Sequence, residues 1–352
     1  APMDFSFEKN VGAILHMYLG GQAVGESVAD LISGEVNPSG KLAETIPFSE
    51  KDTPAWRYFA PPNDDVEYRE SIFVGYRYYE TFHVPVKYPF GYGLSYTSFS
   101  YSELNVPEVY SGGKIQIRFK IKNIGKVSGA EIAQLYICPI ESDVIRSHIE
   151  LKGFQKIYLH PGEEKEVILE LDERSFSVYD VEKKAFSMLS GKYQICIGAS
   201  VHDLQLKANM EVVGNSYFRN ERELFPDYFR EQPHGMEISA EQFYQLLGGE
   251  PKHDKEKKRG EYTVYDSYQD VVNVSMFGKI VRGVVHIGLK IILRGKSERD
   301  PAFKMVKMGV EEGNLEGLIA TSGGIATPKL IDMLVYNANK KYLQAFKRLL
   351  KK

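Results

Sequence analysis

Two side chains in the stretch 51–87 are of types that could contact a small polar ligand. Glu70 is a carboxylate beside Arg69, and Trp56 is the only tryptophan of the chain. A carboxylate can exchange protons or accept hydrogen bonds, and an indole ring offers a flat apolar face. The structural alternatives are an Arg69–Glu70 ion pair that fixes the loop and a tryptophan that packs a domain contact. The residue types alone favour these alternatives.

No other group of residues has the spacing of a catalytic or metal site. Gly20-Gly21-Gln22 follows a predicted strand, at the edge where open α/β sheets bind ligands. No phosphate-loop or dinucleotide pattern accompanies it, and we interpret it as close helix–strand packing. Histidines, cysteines and carboxylates form no cluster with metal-ligand spacing. We therefore expect neither a metal nor a cofactor.

Composition and charge are those of a soluble globular protein. The chain has 352 residues, of which 43% are hydrophobic and 26% charged, with a formal net charge of -3. This charge gives no reason to expect a nucleic-acid partner, and no uncharged apolar run reaches the roughly 18 residues of a membrane span. Cys138 and Cys196 cannot form a disulfide framework, which fits a reducing compartment. They could pair once if their strands are neighbours, but we favour two reduced, buried thiols.

The first fifty residues predict part of an α/β unit. Residues 11–19 form an apolar run of strand length, as in a strand that is covered on both faces. Gly20-Gly21 ends this run, Gln22–Ile32 has helical spacing, and a further short strand is predicted around Leu42–Ile46. Such a unit cannot bury its faces alone. We expect its missing sheet partners to lie upstream of the chain.

Residues 51–98 predict a long connection that ends in an aromatic junction. A loop of this length tends to be functional or to wrap another domain. The junction Tyr88–Thr97 has two glycines and a proline among four aromatic rings, so it can bend sharply and be fixed by packing. It predicts a packed seam between two domains rather than a flexible linker.

Residues 99–213 have the pattern of an all-β domain. The stretch Lys114–Lys122 alternates strictly between apolar and polar residues, and His160-Pro161-Gly162 predicts a turn between two strands. We predict about seven short strands over about a hundred residues, which is typical of an immunoglobulin-like sandwich.

Residues 214–352 predict a helical extension that includes an exposed charged loop at 250–260. One long helix is predicted at Tyr265–Leu293, and Asp300-Pro301 and Thr327-Pro328 begin two more, the last reaching about Leu350. The long helix has a basic face and a separate apolar face. It could lie on an anionic membrane, but packing against a partner helix is the commoner arrangement, and we disfavour membrane contact.

A series of short motifs runs along residues 1–213 in one order. They are Tyr18–Gln22, Gly34–Leu42, Val74–Tyr79, Tyr88–Thr97, Lys122–Gly125, Glu150–Phe154 and Leu159–Glu163. The series resembles glycoside hydrolase family 3, the β-glucosidase-like enzymes. The resemblance implies a barrel domain, then an α/β sandwich, then a fibronectin type III-like domain, and a retaining hydrolysis of O-glycosyl bonds. The tail is similar to extensions on some family members from anaerobic gut bacteria. The expected location is the bacterial cytoplasm.

On this resemblance the chain is a C-terminal portion of mixed fold class. Residues 1–50 would be the C-terminal end of the α/β sandwich domain, and 51–98 a wrapping connection with the aromatic junction. Residues 99–213 would be a fibronectin type III-like β-sandwich, and 214–352 an α-helical C-terminal extension.

The resemblance also implies that the catalytic groups lie outside this chain. The family's nucleophile is an aspartate of the barrel and its acid/base is usually a glutamate earlier in the sandwich, and neither has a matching position here. Retaining hydrolysis needs both carboxylates. We therefore expect no catalytic residue and no activity from this chain alone.

The expected partners follow from the same resemblance. They are a glycoside or oligosaccharide substrate in the full-length enzyme, the missing barrel domain and, as an open question, a second copy in a homo-oligomer. Glu70 and Trp56 are the candidates for substrate contact. The alternative function is a free-standing structural or carbohydrate-binding β-sandwich module, against which the uncovered faces of the α/β remnant argue.

Overall fold

The protein divides into two compact units, Ala1–Pro251 and Lys252–Lys352. The computed structural model describes residues 3, 5–59, 66–214, 220–250, 257–293 and 300–350. This division differs from the predicted boundary at 214, because residues 220–250 lie in the first unit. Most of the predicted loop at 250–260 lies outside the described residues.

The beginning of the first unit contains a helix but not the predicted strand. Helix α1 (Val24–Ser33) forms close to where helical spacing predicts it and ends at Gly34, which has a left-handed φ of 83°. Residues 11–19 adopt no strand, which corrects the prediction from their apolar pattern. A strand needs a hydrogen-bonded neighbour, and no described strand lies beside this segment. Leu19 is fully exposed, and α1 buries none of its residues.

The long connection contains a short helix and one strand. Helix α2 (Tyr76–Thr81) precedes strand β2 (Val86–Tyr88), which pairs antiparallel with β1 (Ile46–Pro47). The strand predicted at Leu42–Ile46 is therefore reduced to its last residue. Leu42 pairs instead with the junction, since its N–H donates to Tyr92 O and its carbonyl accepts from Gly91 N, both at 2.8 Å.

Ten strands lie between Phe99 and Val212. They are β3 (Phe99–Asn105), β4 (Val109–Tyr110), β5 (Ile115–Asn123), β6 (Gly129–Pro139), β7 (Glu150–Leu159), β8 (Glu164–Leu171), β9 (Ser177–Asp180), β10 (Ala185–Met188), β11 (Gly191–Gly198) and β12 (Leu204–Val212). Five strands form one sheet in the order β4-β12-β11-β6-β7, three form another in the order β3-β5-β8, and β9 pairs with β10. The pairing of β4 with β12 is parallel, and the others are antiparallel.

The main hydrophobic core of the first unit lies between these two sheets. Ile117, Phe119 and Ile121 of β5 are buried in it, which confirms the predicted inward face. On the outward face Lys114 pairs with Glu170 on the neighbouring strand at 2.6 Å. The alternation is legible in the sequence because one side of the strand is buried and the other is solvated.

The aromatic junction is closely packed at two glycines, at Gly91 against the β-domain and at Gly93 against the turn that contains Gly40. A Cβ atom at Gly91, whose φ is 80°, would lie 2.2 Å from Gln134 Oε1, and one at Gly93 would lie 2.4 Å from Gly40 O. Gln134 Nε2 donates to Gly91 O at 3.2 Å and to Ala199 O at 2.7 Å. The junction thus lies where larger residues would collide with their neighbours.

Asn37 and Lys41 hold the other side of the junction. Asn37 Oδ1 accepts from Ser95 Oγ at 3.0 Å and from Tyr96 N at 2.9 Å, and its Nδ2 donates to Ser128 O at 3.1 Å. Lys41 Nζ lies 2.9 Å from Glu131 Oε1 on β6. One turn therefore contacts both the junction and the β-domain.

Asn123 is a fully buried amide at the end of β5. Its Oδ1 accepts from Thr97 Oγ1 at 2.7 Å and from Gly125 N at 3.0 Å. Its Nδ2 donates to Val127 O at 2.9 Å and to Leu159 O at 3.1 Å. The side-chain amide thus accepts two hydrogen bonds and donates two, which satisfies it fully in a buried position.

Eight further helices follow the β-domain in the described residues. Two belong to the first unit, α3 (Glu221–Leu224) and α4 (Ala240–Leu247), and six to the second, α5 (Tyr268–Asn273), α6 (Met276–Ile292), α7 (Pro301–Glu311), α8 (Leu315–Thr321), α9 (Pro328–Ala338) and α10 (Tyr342–Leu350). The two predicted helix starts are confirmed. Asp300 accepts a capping bond from Ala302 N at 2.8 Å, and Thr327 accepts one from Leu330 N at 3.2 Å.

The prediction of a single helix at Tyr265–Leu293 is wrong. The chain forms α5 and α6, because Ser275 Oγ caps a new helix by accepting from Gly278 N at 2.9 Å. A Cβ at Gly278 would lie 2.4 Å from Val272 O, so the glycine allows the two helices to pack closely. The helix predicted to reach Leu350 is likewise divided, since Lys340 has a positive φ between α9 and α10.

Helix α6 packs on its unit through a face other than the predicted apolar one. The inward residues include Phe277, Val281 and Val285, which pack against the helical core. The residues predicted to face a partner are each at least 60% exposed; they are Ile280, Val284, Ile287 and Ile291. No described helix is both long and apolar enough to cross a membrane.

Replacing Asn123 with alanine is expected to destabilise the first unit by about 2–3 kcal/mol. The substitution leaves buried hydrogen-bonding groups of Thr97 and Leu159, and the part-buried carbonyl of Val127, without their partner. Urea unfolding followed by fluorescence of the single tryptophan measures the change, since Trp56 lies in this unit. Gln155→Ala, on an exposed site of β7, is the control and should shift stability by less than about 0.5 kcal/mol. Equal effects of the two substitutions would contradict the role given to Asn123.

Candidate functional site

Both candidate residues lie in the connection 51–98. Residues 225–244, which we call the strap, pack against this connection. The strap and the connection share a hydrophobic cluster. Its buried members are Phe73, Tyr78, Tyr79, Val84, Phe225, Tyr228, Met236, Ile238 and Phe243. Phe73, Tyr78 and Tyr79 of the connection are therefore packed against a segment that follows the whole β-domain.

Tyrosine hydroxyls fix the strap to the connection. Tyr58 OH donates to Ile238 O and accepts from Ile238 N, both at 2.9 Å. Tyr78 OH donates to Gln232 O at 2.6 Å and accepts from Gly235 N at 3.0 Å. Burial raises the pKa of Tyr78 to about 12, so this hydroxyl stays protonated and keeps its donor at neutral pH.

Arg69 pairs with Glu67 and not with its neighbour Glu70. Arg69 Nε donates to Glu67 Oε2 at 2.6 Å, and a second guanidinium nitrogen donates to Ile238 O at 2.8 Å. The guanidinium lies 4.5 Å above the centre of the Tyr58 ring. The proposed Arg69–Glu70 pair is replaced by a contact that joins the connection to the strap.

Glu70 is enclosed in the first unit, with 5% of its surface exposed. Its Oε2 has no hydrogen-bond partner among the described residues. Burial raises the pKa of this carboxyl, because the charged form loses its hydration. Arg69, the partner considered for Glu70 in the sequence analysis, bonds Glu67 instead, and Glu70 is a buried acid.

Trp56 lines an open cleft of about 470 Å³. The other residues around this cleft are Ser49, Lys51, Asp52, Arg57 and His234. The tryptophan is 39% exposed. Asp52 Oδ1 lies 3.2 Å from His234 Nδ1, so the strap contributes one wall. Glu70 does not line this cleft, and the two candidates are therefore not part of one site.

The sequence did not indicate the polar residues that accompany Trp56. His234 is 182 residues from its partner Asp52, and no local spacing connects them. Lys51, Asp52 and Arg57 lie close to Trp56 in sequence, which is the one signal that could have suggested a cluster.

A larger cavity of about 1210 Å³ lies beside β6 and β11, but its arginines already have protein partners. Arg222 Nε lies 3.0 Å from Asp143, and Arg230 lies 3.5 Å from Asp227. Arg146 donates to Tyr193 OH at 2.8 Å and lies over the same ring. The Trp56 cleft is the better candidate for a ligand. Among the described residues, no group of three histidines, cysteines or acids could hold a metal ion.

Two protein families match the first unit. Residues 1–96 match the glycosyl hydrolase family 3 C-terminal domain, and residues 131–201 match the fibronectin type III-like domain. Their order is that of the motifs in the sequence.

Curated relatives and solved structures agree with these matches. The chain is 45% identical over 214 residues to thermostable beta-glucosidase B of Acetivibrio thermocellus, covering 60% of this chain and 28% of that protein. It is 38% identical over 207 residues to an exo-alpha-(1->6)-L-arabinopyranosidase of Bifidobacterium breve, covering 59% of this chain and 27% of that protein. The structure of beta-glucosidase 3B from Thermotoga neapolitana matches with a TM-score of 0.57 at 37% identity, covering 62% of this chain and 31% of the other.

The matched part of the first unit corresponds to a C-terminal portion of family 3 glycoside hydrolases. The resemblance inferred from the motifs is thereby confirmed. The chain spans little more than a quarter of the length of the curated relatives it matches.

Glu70→Gln is expected to stabilise the protein at pH 7 and to have little effect at low pH. A carboxyl whose pKa is raised on folding binds its proton more tightly in the folded state. Its contribution to folding is therefore fully present below the unfolded pKa, near 4.5, and is lost as the pH rises through the higher folded pKa. Glutamine does not ionise, so the variant keeps its stability as the pH rises.

Urea unfolding of both proteins between about pH 4 and pH 8 tests this expectation. The exposed Glu211→Gln, on β12, serves as the control. A stability difference for Glu70→Gln that does not grow with pH would show that the carboxyl is not held in an environment that disfavours its charge.

Proposed function

We propose that the chain is the C-terminal part of a retaining, β-glucosidase-like glycoside hydrolase. The observation that carries the proposal is the order of the two family matches, at 1–96 and 131–201, in a chain that spans 28% of a beta-glucosidase relative. The substrate would be a glycoside or oligosaccharide. In this proposal residues 1–50 are the end of an α/β sandwich, and residues 99–213 are an immunoglobulin-like sandwich.

The two catalytic carboxylates would lie in a preceding part of a longer polypeptide. Retaining hydrolysis needs a nucleophile and an acid/base about 5–5.5 Å apart. Glu70 is enclosed and does not line the Trp56 cleft, and Asp52 lies beside His234. These placements support the expectation that neither residue serves as the nucleophile or the acid.

The exposed apolar residues at the start of the chain support a covered interface in the longer enzyme. Ile14, Leu15 and Leu19 precede α1, and Ile32 lies on it, and all four are exposed in this unit. A soluble protein rarely leaves such a group uncovered. In the proposed enzyme, the rest of the α/β sandwich and the barrel would cover them.

The sugar that the enzyme removes would be selected by that preceding part. Relatives that share this portion are named for different sugars, a beta-glucosidase and an arabinopyranosidase. We place the enzyme in the bacterial cytoplasm. Cys138 and Cys196 lie on neighbouring strands with their sulfurs 3.8 Å apart, and the proposal takes both as thiols, as in a reducing compartment.

The activity of a longer polypeptide tests the proposal. A protein that contains the coding sequence upstream of Ala1 is expected to release p-nitrophenol from p-nitrophenyl β-D-glucoside with retention at the anomeric carbon, as followed by proton NMR. The 352-residue chain alone is expected to release none. Inactivity of the longer protein on aryl β-glycosides and other exo-substrates, or hydrolysis by the short chain, would overturn the proposal.

A further inference from the structure

We propose that the Trp56 cleft is a binding site for a saccharide residue and favours a residue that bears a carboxylate. The inference rests on the proposed function, since a glycosidase acts on saccharides. The elements of the cleft are an exposed indole, an acid–histidine pair and two cations.

The size of the cleft and its one aromatic wall suit a single sugar ring. Its volume of about 470 Å³ lies within the range of small-molecule sites, roughly 300–1,000 Å³. Trp56 lines the cleft and keeps 39% of its surface exposed, so its ring is accessible to a ligand. An indole face can cover the apolar C–H face of a pyranose, while the ring hydroxyls point to the polar wall.

Asp52 and His234 supply that polar wall. The Asp52 side chain is mostly covered, and its Oδ1 lies 3.2 Å from His234 Nδ1. A carboxylate offers two oxygens with about four acceptor positions, so Asp52 can accept from sugar hydroxyls while it contacts the histidine. His234 is exposed, and its other ring nitrogen is free to bond a hydroxyl on the same side.

Two cations at the cleft favour a ligand with negative charge. Lys51 and Arg57 both line the cleft and are both exposed. Neither forms an ion pair within the described part of the chain. A guanidinium binds a carboxylate through two parallel hydrogen bonds, and Lys51 adds a point charge. A uronic acid residue therefore suits the cleft better than a neutral hexose.

The cleft is held in shape by the strap. Gly235 has a φ of 74°, and a Cβ there would lie 3.0 Å from Thr53 O and 3.5 Å from Trp56 Cβ. Met236 N donates to Pro54 O at 3.0 Å. The wall that carries His234 is thus fixed against the segment that carries Trp56. A site that is formed before binding loses less entropy when a ligand arrives.

The single tryptophan makes the cleft directly observable. Trp56 fluorescence of the 352-residue chain is titrated with methyl β-D-glucuronide and, separately, methyl β-D-glucoside, and calorimetry gives both affinities independently. We expect saturable binding of the glucuronide with a dissociation constant on the order of 1 mM, and weaker binding of the glucoside. Added salt should weaken glucuronide binding more, because screening affects only the charged ligand.

Three variants assign the binding to named side chains. Trp56→Ala should abolish the calorimetric signal for both glycosides. Arg57→Ala should bring glucuronide affinity down to that of the glucoside. Phe59→Ala is the matched control, an aromatic residue of the same connection that is 74% exposed but does not line the cleft, and it should change neither affinity. Circular dichroism of each variant verifies the fold.

Three outcomes would overturn the inference. The saccharide site fails if neither glycoside changes the emission or gives heat up to about 50 mM, well above the expected constant. It also fails if Phe59→Ala weakens binding as much as Trp56→Ala. Equal affinities for the two glycosides would overturn the preference for a carboxylate. Binding is measured on the 352-residue chain without catalysis, so its failure is distinguishable from a failure of hydrolysis by the longer protein.

Discussion

The hydrogen bonds of the buried Gln134 amide are the constraint on which the geometry of the first unit depends. They fix the aromatic junction to the β-domain through Gly91. Phe90, the residue before Gly91, stacks on Tyr76 with 4.5 Å between the ring centres. Tyr76 OH in turn accepts a hydrogen bond from Leu151 N on β7 at 2.9 Å. These contacts position α2, and Tyr78 of that helix holds the strap. The wall of the Trp56 cleft is therefore connected step by step to the β-domain core.

Sequence patterns predicted the strands and helices that depend on interactions between residues close in sequence. The alternation of Lys114–Lys122 gives the inward face of β5, because the period of a strand is fixed by its backbone. The proline-containing starts of α7 and α9 follow from capping chemistry within one turn. The strand predicted at 11–19 is absent because a strand depends on a neighbour, and an apolar run cannot reveal whether that neighbour is present.

The candidate site depends on contacts that sequence spacing does not contain. Tyr58 and Ile238 are 180 residues apart, and their paired hydrogen bonds create the contact between connection and strap. Arg69 and Glu70 are adjacent in sequence but are not partners, because Arg69 bonds Glu67 and Ile238 instead. Trp56 was identified by its type alone, and its polar companions became visible only when the strap was in place.

Hydrogen exchange of residues 11–36 tests most directly whether this chain completes a longer family 3 enzyme. Hydrogen–deuterium exchange of their amides should be compared between the 352-residue chain and the polypeptide that includes the upstream coding sequence. If the α/β sandwich is completed by preceding residues, residues 11–19 gain sheet hydrogen bonds, and their exchange should slow by at least about 100-fold. Amides of β5, in a core that is already complete, should exchange equally in both proteins. Equally fast exchange of residues 11–36 in the two proteins would contradict the account.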